Sequence, residues 1–380
     1  MGGPLQGFKV VEMAGLGPGP FAGMLLADLG AEVICVDRIT PPEKDAHAVH
    51  SKVLRRNKQS ISLNLKQAAA IEAVLRLIES ADVLIEGFRP GVMEKLGLSP
   101  EVCLARNPRL VFGRMTGWGQ TGPLAHAAGH DINYIALSSA LHAIGTPAQP
   151  LPPLNLVGDF GGGGMLLVAG VLAAAMHAKA SGKGQVVDVA MTDGSALLMG
   201  LMYARMADGQ WRDERGQNML DGAAHFYGTY QCADGKWIAV GSIEPQFYAL
   251  LIEKSGLTDV DQTLQRDPAT WPAMRQQLDS VFATRTRQDW CDVMEGTDAC
   301  FAPVLSMVEA PLHPHNVARQ TFCEVQGILQ PSVAPRFSET QTSAIRAPAP
   351  TGAHTLEILR QLGYSASEIE ALQQSATIAR

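Results

Sequence analysis

The chain has 380 residues, of which 46% are hydrophobic and 18% charged, so it can build a large packed core and is not a disordered or low-complexity protein. A net charge of −7 disfavours a protein that coats nucleic acid or an anionic membrane, because such proteins are usually basic. The six cysteines form no CxxC pair, which gives no support for a metal site and fits a reducing compartment. Residues 1–9 contain no apolar signal segment, and we therefore expect a cytoplasmic protein.

The first half of the chain alternates between two hydrophobic periods. Short apolar runs predict strands at 8–13, 32–36, 60–65, 82–86, 110–115 and 185–189. Helical spacing follows at 21–29 and 67–80, and a long apolar helix is predicted at about 162–180. Its most apolar run, 161–175, is too short to span a membrane and indicates a buried core helix. Apolar strands separated by helices predict a parallel α/β sheet covered on both faces.

The second half has a different character. A hairpin with an Asp-Gly turn is predicted over 226–240, and helices dominate from 246 to about 294. Prolines between 331 and 350 indicate an extended return segment before a last helix at 354–362. We therefore predict a large Rossmann-like α/β domain at 1–200, a linker at 201–224, a smaller α+β domain at 225–320 and a C-terminal return segment at 321–380.

A glycine- and proline-rich turn, 15–20, lies between the first strand and the first helix. It lacks the GxGxxG spacing because prolines occupy positions 18 and 20, so a Rossmann dehydrogenase is weakly supported. The turn is either a tight structural connection or a backbone surface that lets an extended anionic ligand approach a helix N-terminus.

Basic residues collect where predicted strands end. Arg38 follows one strand, Lys66 another, and Arg89 and Lys95 follow a third, while a basic cluster at 55–58 precedes a strand. Ligands of open α/β sheets bind at the carboxyl ends of the strands, so these cations indicate an anionic ligand such as a nucleotide. The alternative is ordinary solvated surface charge.

Two polar residues stand beside apolar helices in glycine-marked settings. His130 precedes a predicted helix, and Asp159 leads into the glycine run 161–164. Either residue could be a helix cap. As a pair, a histidine and a carboxylate can transfer protons, while the glycines let a substrate pack against the backbone and the helix start offers N–H donors to an oxyanion. Glu244, which precedes a proline, is either a helix-start carboxylate or a group that orients a histidine.

At these motifs the chain resembles, nearly end to end, the α-methylacyl-CoA racemases of the family III CoA-transferase superfamily. The segments EGFRPG at 86–91 and GKGQVVDVAM at 182–191 are similar to the superfamily as a whole. The segments GHDINY at 129–134, PLNLVGDFGGG at 153–163 and IEPQFY at 243–248 are similar to the racemases in particular.

The resemblance implies an interlocked homodimer and the interconversion of R and S 2-methylacyl-CoA thioesters. It places His130 and Asp159 at the two proton-transferring positions and Glu244 at the position of a glutamate that supports the histidine, apparently from the partner chain. It implies no metal or redox cofactor, since CoA is part of the substrate. The positions it assigns to CoA contacts are Arg38, Leu63, Asn64, Leu65, Lys66, Arg89, Lys95, Gly129, Asp131, Ile132, Asn133 and Tyr134.

Two rival functions stay open from the sequence. A CoA-transferase of the same superfamily would use Asp159 as a nucleophile that forms mixed anhydrides with the acyl group. Such an enzyme has no need of His130 paired with Glu244, so their joint presence favours a racemase. A non-catalytic CoA-binding protein would bind the thioester without exchanging its α-proton.

Overall fold

The computed structural model describes residues 2–39 and 53–379, which form two compact units. The first unit comprises Met1–Ser138, Leu154–Leu198 and Phe322–Arg380, and the second comprises Ser139–Pro153 and Met199–Thr321. The second unit thus includes 139–153 and 199–224, segments that the sequence analysis assigned to the large domain and to a linker.

A six-stranded parallel sheet organises the first unit, as the apolar runs predicted. Its strands are β1 (Lys9–Met13), β2 (Glu32–Arg38), β3 (Gln59–Leu63), β4 (Val83–Glu86), β5 (Val111–Thr116) and β6 (Gln185–Ala190). Their spatial order is β3-β2-β1-β4-β5-β6, and all neighbours are parallel. The order reverses direction between β1 and β4, so the crevice at the carboxyl ends of these two strands is the expected ligand position.

Helices cover both faces of this sheet. They are α1 (Pro18–Asp28), α2 (Ala68–Glu79), α3 (Val92–Lys95), α4 (Pro100–Arg106), α5 (Asp131–Leu137), α7 (Leu166–Ser181), α8 (Met191–Leu198), α14 (Thr355–Gln361) and α15 (Ala366–Gln374). One hydrophobic cluster joins the sheet to Leu77 of α2 and Leu359 of α14, and another joins it to Leu26 of α1 and Val171 of α7. Because β1 to β5 bury side chains on both sides, each face of the sheet has its own core. A hairpin of β10 (Phe322–Val325) and β11 (Ile328–Pro331) completes the unit.

The helix that carries Asp159 is longer than the sequence predicted. A π-helical segment, Leu156–Met165, runs directly into α7 and gives one helix from Leu156 to Ser181. By length and composition alone this 26-residue helix could cross a membrane, which corrects the inference drawn from 161–175. In the fold, however, Leu167, Val171 and Ala174 are buried in the core beside the sheet, as in the core helix of a globular domain.

The second unit has its own sheet and core. Its antiparallel strands β7 (Tyr227–Gln231), β8 (Trp237–Gly241) and β9 (Phe301–Val304) include the predicted hairpin. Its helices are α6 (Ala140–Ala143), α9 (Gly200–Ala207), α10 (Pro245–Ser255), α11 (Trp271–Phe282), α12 (Arg287–Met294) and α13 (Pro314–Ala318). Buried aromatic side chains dominate the core, namely Phe226, Tyr230, Tyr248, Trp271, Phe282 and Trp290.

Candidate active site

A pocket of about 270 Å³ lies in the first unit, at the point where the strand order reverses. Its walls come from the turn 15–20 after β1, the turn 87–90 after β4, the turn 116–118 after β5 and the segment 125–130. His130, Tyr134 and Met191 complete the lining. The glycine- and proline-rich turn therefore borders the crevice in which doubly wound sheets bind ligands.

His130 is the residue immediately before α5, and its exposed side chain lines the pocket. Its backbone N–H donates to Asn133 Oδ1 at 3.0 Å, which fixes the start of the helix. Behind it, Tyr134 donates its hydroxyl to the Gly129 carbonyl and packs edge-on against Trp118, with ring centroids 4.8 Å apart. The segment 129–134 is thus held rigidly while the imidazole stays at the pocket wall.

Asp159 lies in the first turn of the π-helix and is half-buried. Its Oδ2 accepts a hydrogen bond from Asn155 Nδ2 at 3.1 Å, and its backbone N–H donates to Asp131 Oδ1 at 2.7 Å. A Cβ added at Gly17 would lie 3.2 Å from Asp159 Oδ2, so the carboxylate stands directly beside the turn that lines the pocket. The fold therefore brings together residues from after β1, from α5 and from the π-helix.

The electrostatic environment favours the neutral form of Asp159. Burial raises the pKa of its carboxyl, and the neighbouring charge of Asp131 raises this pKa further. The hydrogen bond from Asn155 and, to a smaller extent, the charge of His130 oppose this increase in pKa. A carboxyl group with a raised pKa is a better proton donor near neutral pH than an ordinary aspartate.

The glycine run has a different role from the one predicted. Gly162, Gly163 and Gly164 are buried, and a Cβ at Gly162 would lie 2.6 Å from the Ser195 amide nitrogen. A Cβ at Gly164 would lie 2.6 Å from Phe21 Cδ1. The prediction that these glycines expose backbone to a substrate is therefore wrong, since they allow α8 and α1 to pack closely against the π-helix. The Asp159 N–H is likewise engaged by Asp131 and does not serve as an oxyanion donor.

Several of the cations predicted to bind an anionic ligand stand at one edge of the sheet. Arg38 ends β2, is exposed, and places its guanidinium 5.9 Å from the centre of the Phe88 ring. Arg89 is exposed and lines the pocket, while Lys66 and Lys95 are exposed just after β3 and at the end of α3. We call Arg38, Lys66, Arg89 and Lys95 the basic rim.

The other positions assigned to CoA contacts differ in which of their atoms are accessible to a ligand. Leu63 is fully buried in the core, so only its backbone is available, whereas Asn64 and Leu65 are half-buried. Ile132 and Asn133 are exposed on α5. Asp131 is buried and directs one carboxylate oxygen to the Asp159 amide, so its observed role is to hold Asp159.

The basic cluster 55–58 is engaged inside the protein. Arg55 pairs with Asp37, Arg56 Nη2 lies 2.6 Å from Asp28 Oδ2, and Lys58 Nζ lies 2.6 Å from Glu12 Oε2. From the sequence alone these cations were predicted to bind a ligand together with the others. Their acidic partners are remote in the sequence, so the pairing could not be seen there. Their burial gives them a structural role, since an unpaired charge in the core would be very costly.

Glu244 lies in the second unit, at the residue preceding α10, and its side chain is exposed. Pro245 occupies the first helical position, which explains why the helix begins there. Within residues 2–39 and 53–379, no group of three histidine, cysteine or acidic residues is arranged to hold a metal ion.

The chain is an α/β protein with a doubly wound parallel sheet, and such sheets bind ligands at the point where the strand order reverses. Here a histidine and a carboxylate lie near this point, and the basic rim favours an anionic ligand. The sequence pattern of CoA-transferase family III matches residues 5–355, and the chain belongs to this family.

Two curated relatives and one solved structure illustrate the similarity. The chain is 46% identical to the alpha-methylacyl-CoA racemase of Mus musculus, over 96% of this chain and 95% of the relative. It is 44% identical to the alpha-methylacyl-CoA racemase of Homo sapiens, over 98% and 97% respectively. The crystal structure of a CaiB/BaiF family protein from Brucella suis superposes with a TM-score of 0.79 at 25% identity, covering 95% of this chain and 100% of that one.

Proposed function

We propose that this protein is a racemase that interconverts (R)- and (S)-2-methylacyl-CoA thioesters. The similarity to two racemases over nearly the whole chain supports this activity. The structural observation that supports it best is that His130 lines the pocket while Asp159, whose pKa is raised by burial, lies against Gly17 of the 15–20 turn in the pocket wall. Two proton carriers of different chemistry in one site are what a two-base racemisation requires.

In the proposed mechanism, one base removes the α-proton of the thioester and leaves an enolate. The conjugate acid of the other base then delivers a proton to the opposite face, which inverts the α-carbon. We assign the S substrate to His130 and the R substrate to Asp159. A positioned acid or base contributes roughly 10²- to 10⁴-fold. Asp131 accepts the Asp159 backbone N–H, and its charge adds to the effect of burial, which raises the pKa of the Asp159 carboxyl.

The basic rim is proposed to bind the CoA phosphates, with segments 63–66 and 129–134 contacting the rest of CoA. Charge-assisted hydrogen bonds to phosphate are strong and directional. The rim residues lie near the carboxyl-terminal edge of the same sheet, and Arg89 lines the pocket itself. CoA enters and leaves with the acyl group, so the proposal includes no separate cofactor.

We further propose that the enzyme is a homodimer in which Glu244 supports His130 of the partner subunit. The exposed position of Glu244 at the start of α10 is compatible with such a contact. The first unit also leaves large apolar side chains in solvent, with Met176 and Leu197 exposed by 74% and 68%. Apolar surface of this kind is typical of a protein interface.

The experiment that tests the proposal uses a single 2-methylacyl-CoA enantiomer in D₂O, followed by proton NMR of the α-hydrogen and by chiral analysis of the acyl group. A racemase replaces the α-hydrogen by deuterium and forms the other enantiomer without any second substrate. A CoA-transferase that used Asp159 as a nucleophile would need an acceptor carboxylate and would leave the α-hydrogen in place. Transfer of CoA to an added carboxylate, with release of the 2-methyl acid and without α-exchange, would contradict the proposal.

A further inference from the structure

A buried arginine joins two carboxylates behind the pocket. Arg114, on β5, is 7% exposed and donates from Nε to Glu86 Oε1 at 2.8 Å. Glu86 is its cross-strand neighbour on β4 and is fully buried. The outer nitrogens of the same guanidinium contact Glu94 of α3, with Nη1 2.9 Å from Oε1 and Nη2 3.4 Å from Oε2. All three guanidinium nitrogens are therefore used, which no other cationic side chain could reproduce.

The two carboxylates hold the ends of one segment, 86–95. The second oxygen of Glu86 accepts the Phe88 backbone N–H at 2.7 Å, which fixes the turn that lines the pocket. At the other end, Glu94 belongs to the short helix α3, which starts after Gly91 in a left-handed conformation. Met93 of this helix is fully buried in the core beside the sheet, and the Arg114–Glu94 contact adds a polar link between the helix and β5.

Three members of the basic rim depend on this segment. Arg89 and Lys95 lie within it, and Arg38 stacks its guanidinium over the ring of Phe88. A chain of contacts thus runs from Arg114 through Glu86 to Phe88 and Arg38. None of these rim residues is a partner of Arg114 itself.

Burying the Arg114–Glu86 pair is expensive compared with an apolar alternative, so such a pair is poor evidence for stability alone, and the third member, Glu94, is 39% exposed. We propose that Arg114 is a positioning residue for CoA binding, which acts through Glu86 and Glu94 to hold the 86–95 segment and its cations in place. This inference rests on the proposed function, because it takes CoA as the ligand of the basic rim. Arg114 contacts no reacting atom and is not a catalytic residue.

The test measures the dissociation constant of free CoA by titration calorimetry, and KM and kcat for a 2-methylacyl-CoA, in full-length variants. Loss of the supporting partners of ligand-binding groups typically costs about 10- to 100-fold in metal sites, so we expect Arg114→Met to weaken CoA binding by about tenfold. KM should rise by a similar factor with kcat little changed, because uniform binding is lost. Arg114→Lys keeps the charge but not the fork, and should recover only part of the affinity.

Two further variants separate positioning from folding. Arg287→Met removes a comparably buried guanidinium, 11% exposed and paired with Glu309, which lies in the second unit and lines no part of the pocket. It should lower the melting temperature without changing CoA affinity. If Arg114→Met does not fold, Glu94→Gln removes one partly exposed carboxylate and should weaken CoA binding by about threefold, as expected for a partly exposed ion pair.

The inference is overturned if Arg114→Met binds CoA as well as the wild-type protein does. The same holds for Glu94→Gln where that variant replaces Arg114→Met. It is also overturned if Arg287→Met weakens CoA binding as much as Arg114→Met, since the effect would then reflect global stability. CoA binding without racemisation by the wild-type protein would refute the proposed function while leaving the role of Arg114 intact.

Discussion

Gly17 offers the sharpest perturbation of one proposed catalytic base, Asp159, without replacing that residue. Its φ of 65° and ψ of −119° form a backbone conformation that essentially only glycine adopts. Replacing it by alanine should cost about 1–3 kcal/mol in backbone strain. The added methyl carbon would also lie 3.2 Å from Asp159 Oδ2, closer than an ordinary van der Waals contact. The methyl group therefore shields the carboxylate from its substrate and displaces it.

The expected result is a loss that depends on the enantiomer. If Asp159 serves the R thioester, Gly17→Ala should slow α-hydrogen exchange of the R substrate in D₂O by about tenfold. A 1 Å misplacement near a reacting centre can cost about 100-fold, and a 3.2 Å contact requires the carboxylate to shift by only a few tenths of an ångström. Exchange of the S substrate through His130 should fall far less. Proton NMR with each enantiomer separately measures both rates in the same preparation.

Gly15→Ala is the matched control, because Gly15 lines the same turn with a negative φ and a Cβ there would approach nothing closer than 3.9 Å. It should cost little stability and affect both enantiomers to the same degree. Equal loss for R and S in Gly17→Ala would refute the assignment of Asp159 to one face of the α-carbon.

Three other perturbations address the bases, the rim and the core of the second unit. His130→Ala and Asp159→Ala should both abolish racemisation but leave residual exchange of opposite enantiomers, R in the first and S in the second; full racemisation by either variant in the NMR assay would indicate a one-base mechanism. Arg38→Ala should raise KM by a similar factor for all acyl chains with kcat little changed; steady-state kinetics that show altered acyl preference instead would contradict a role at the phosphates. Burial lowers the pKa of His225 from its ordinary 6.5 to about 4, so the folded state favours the neutral imidazole over the charged one. Its contribution is complete above pH 6.5 and is lost as pH falls to 4, by about 3 kcal/mol in total. Denaturant unfolding between pH 7 and 4 should show this loss, and His225→Gln should remove that part of it.

The sheet was predictable because its strands show either a continuous apolar run, as at 33–36, or the alternation typical of a strand, as at 59–63. Each predicted strand has a counterpart in the sheet, with ends that differ by one or two residues. The antiparallel hairpin was equally visible through its Asp-Gly turn. Each of these elements is one continuous stretch of the chain, so its hydrophobic period or its turn residues could be recognised without knowing its remote contacts.

Features that depend on remote partners were not predictable. Lys58 looks like a ligand-binding cation until the fold places it 2.6 Å from Glu12, which is 46 positions earlier on another strand. In the same way, the ion pairs of Arg114 with Glu86 and Glu94 form only in the folded chain and could not be predicted from the sequence. The sequence could suggest His130 and Asp159 as a pair, but not the third residue, Asp131, that holds the aspartate in place.

The π-helix explains why Asp131 is needed. In a helix bonded from residue i to i+5, the first amides have no partner inside the helix, and the first such bond here runs from the Phe160 N–H to the Asn155 carbonyl at 3.3 Å. The Asp159 N–H precedes it and would be unsatisfied in a half-buried position. Asp131, at the start of α5, accepts this N–H. It thereby links the π-helix that carries Asp159 to α5, the helix that follows His130. Because this acceptor is a carboxylate, the contact that fixes Asp159 in position also raises its pKa. The hydrogen bond from the irregular helix start therefore positions the proposed proton carrier, while burial and the charge of Asp131 together raise its pKa.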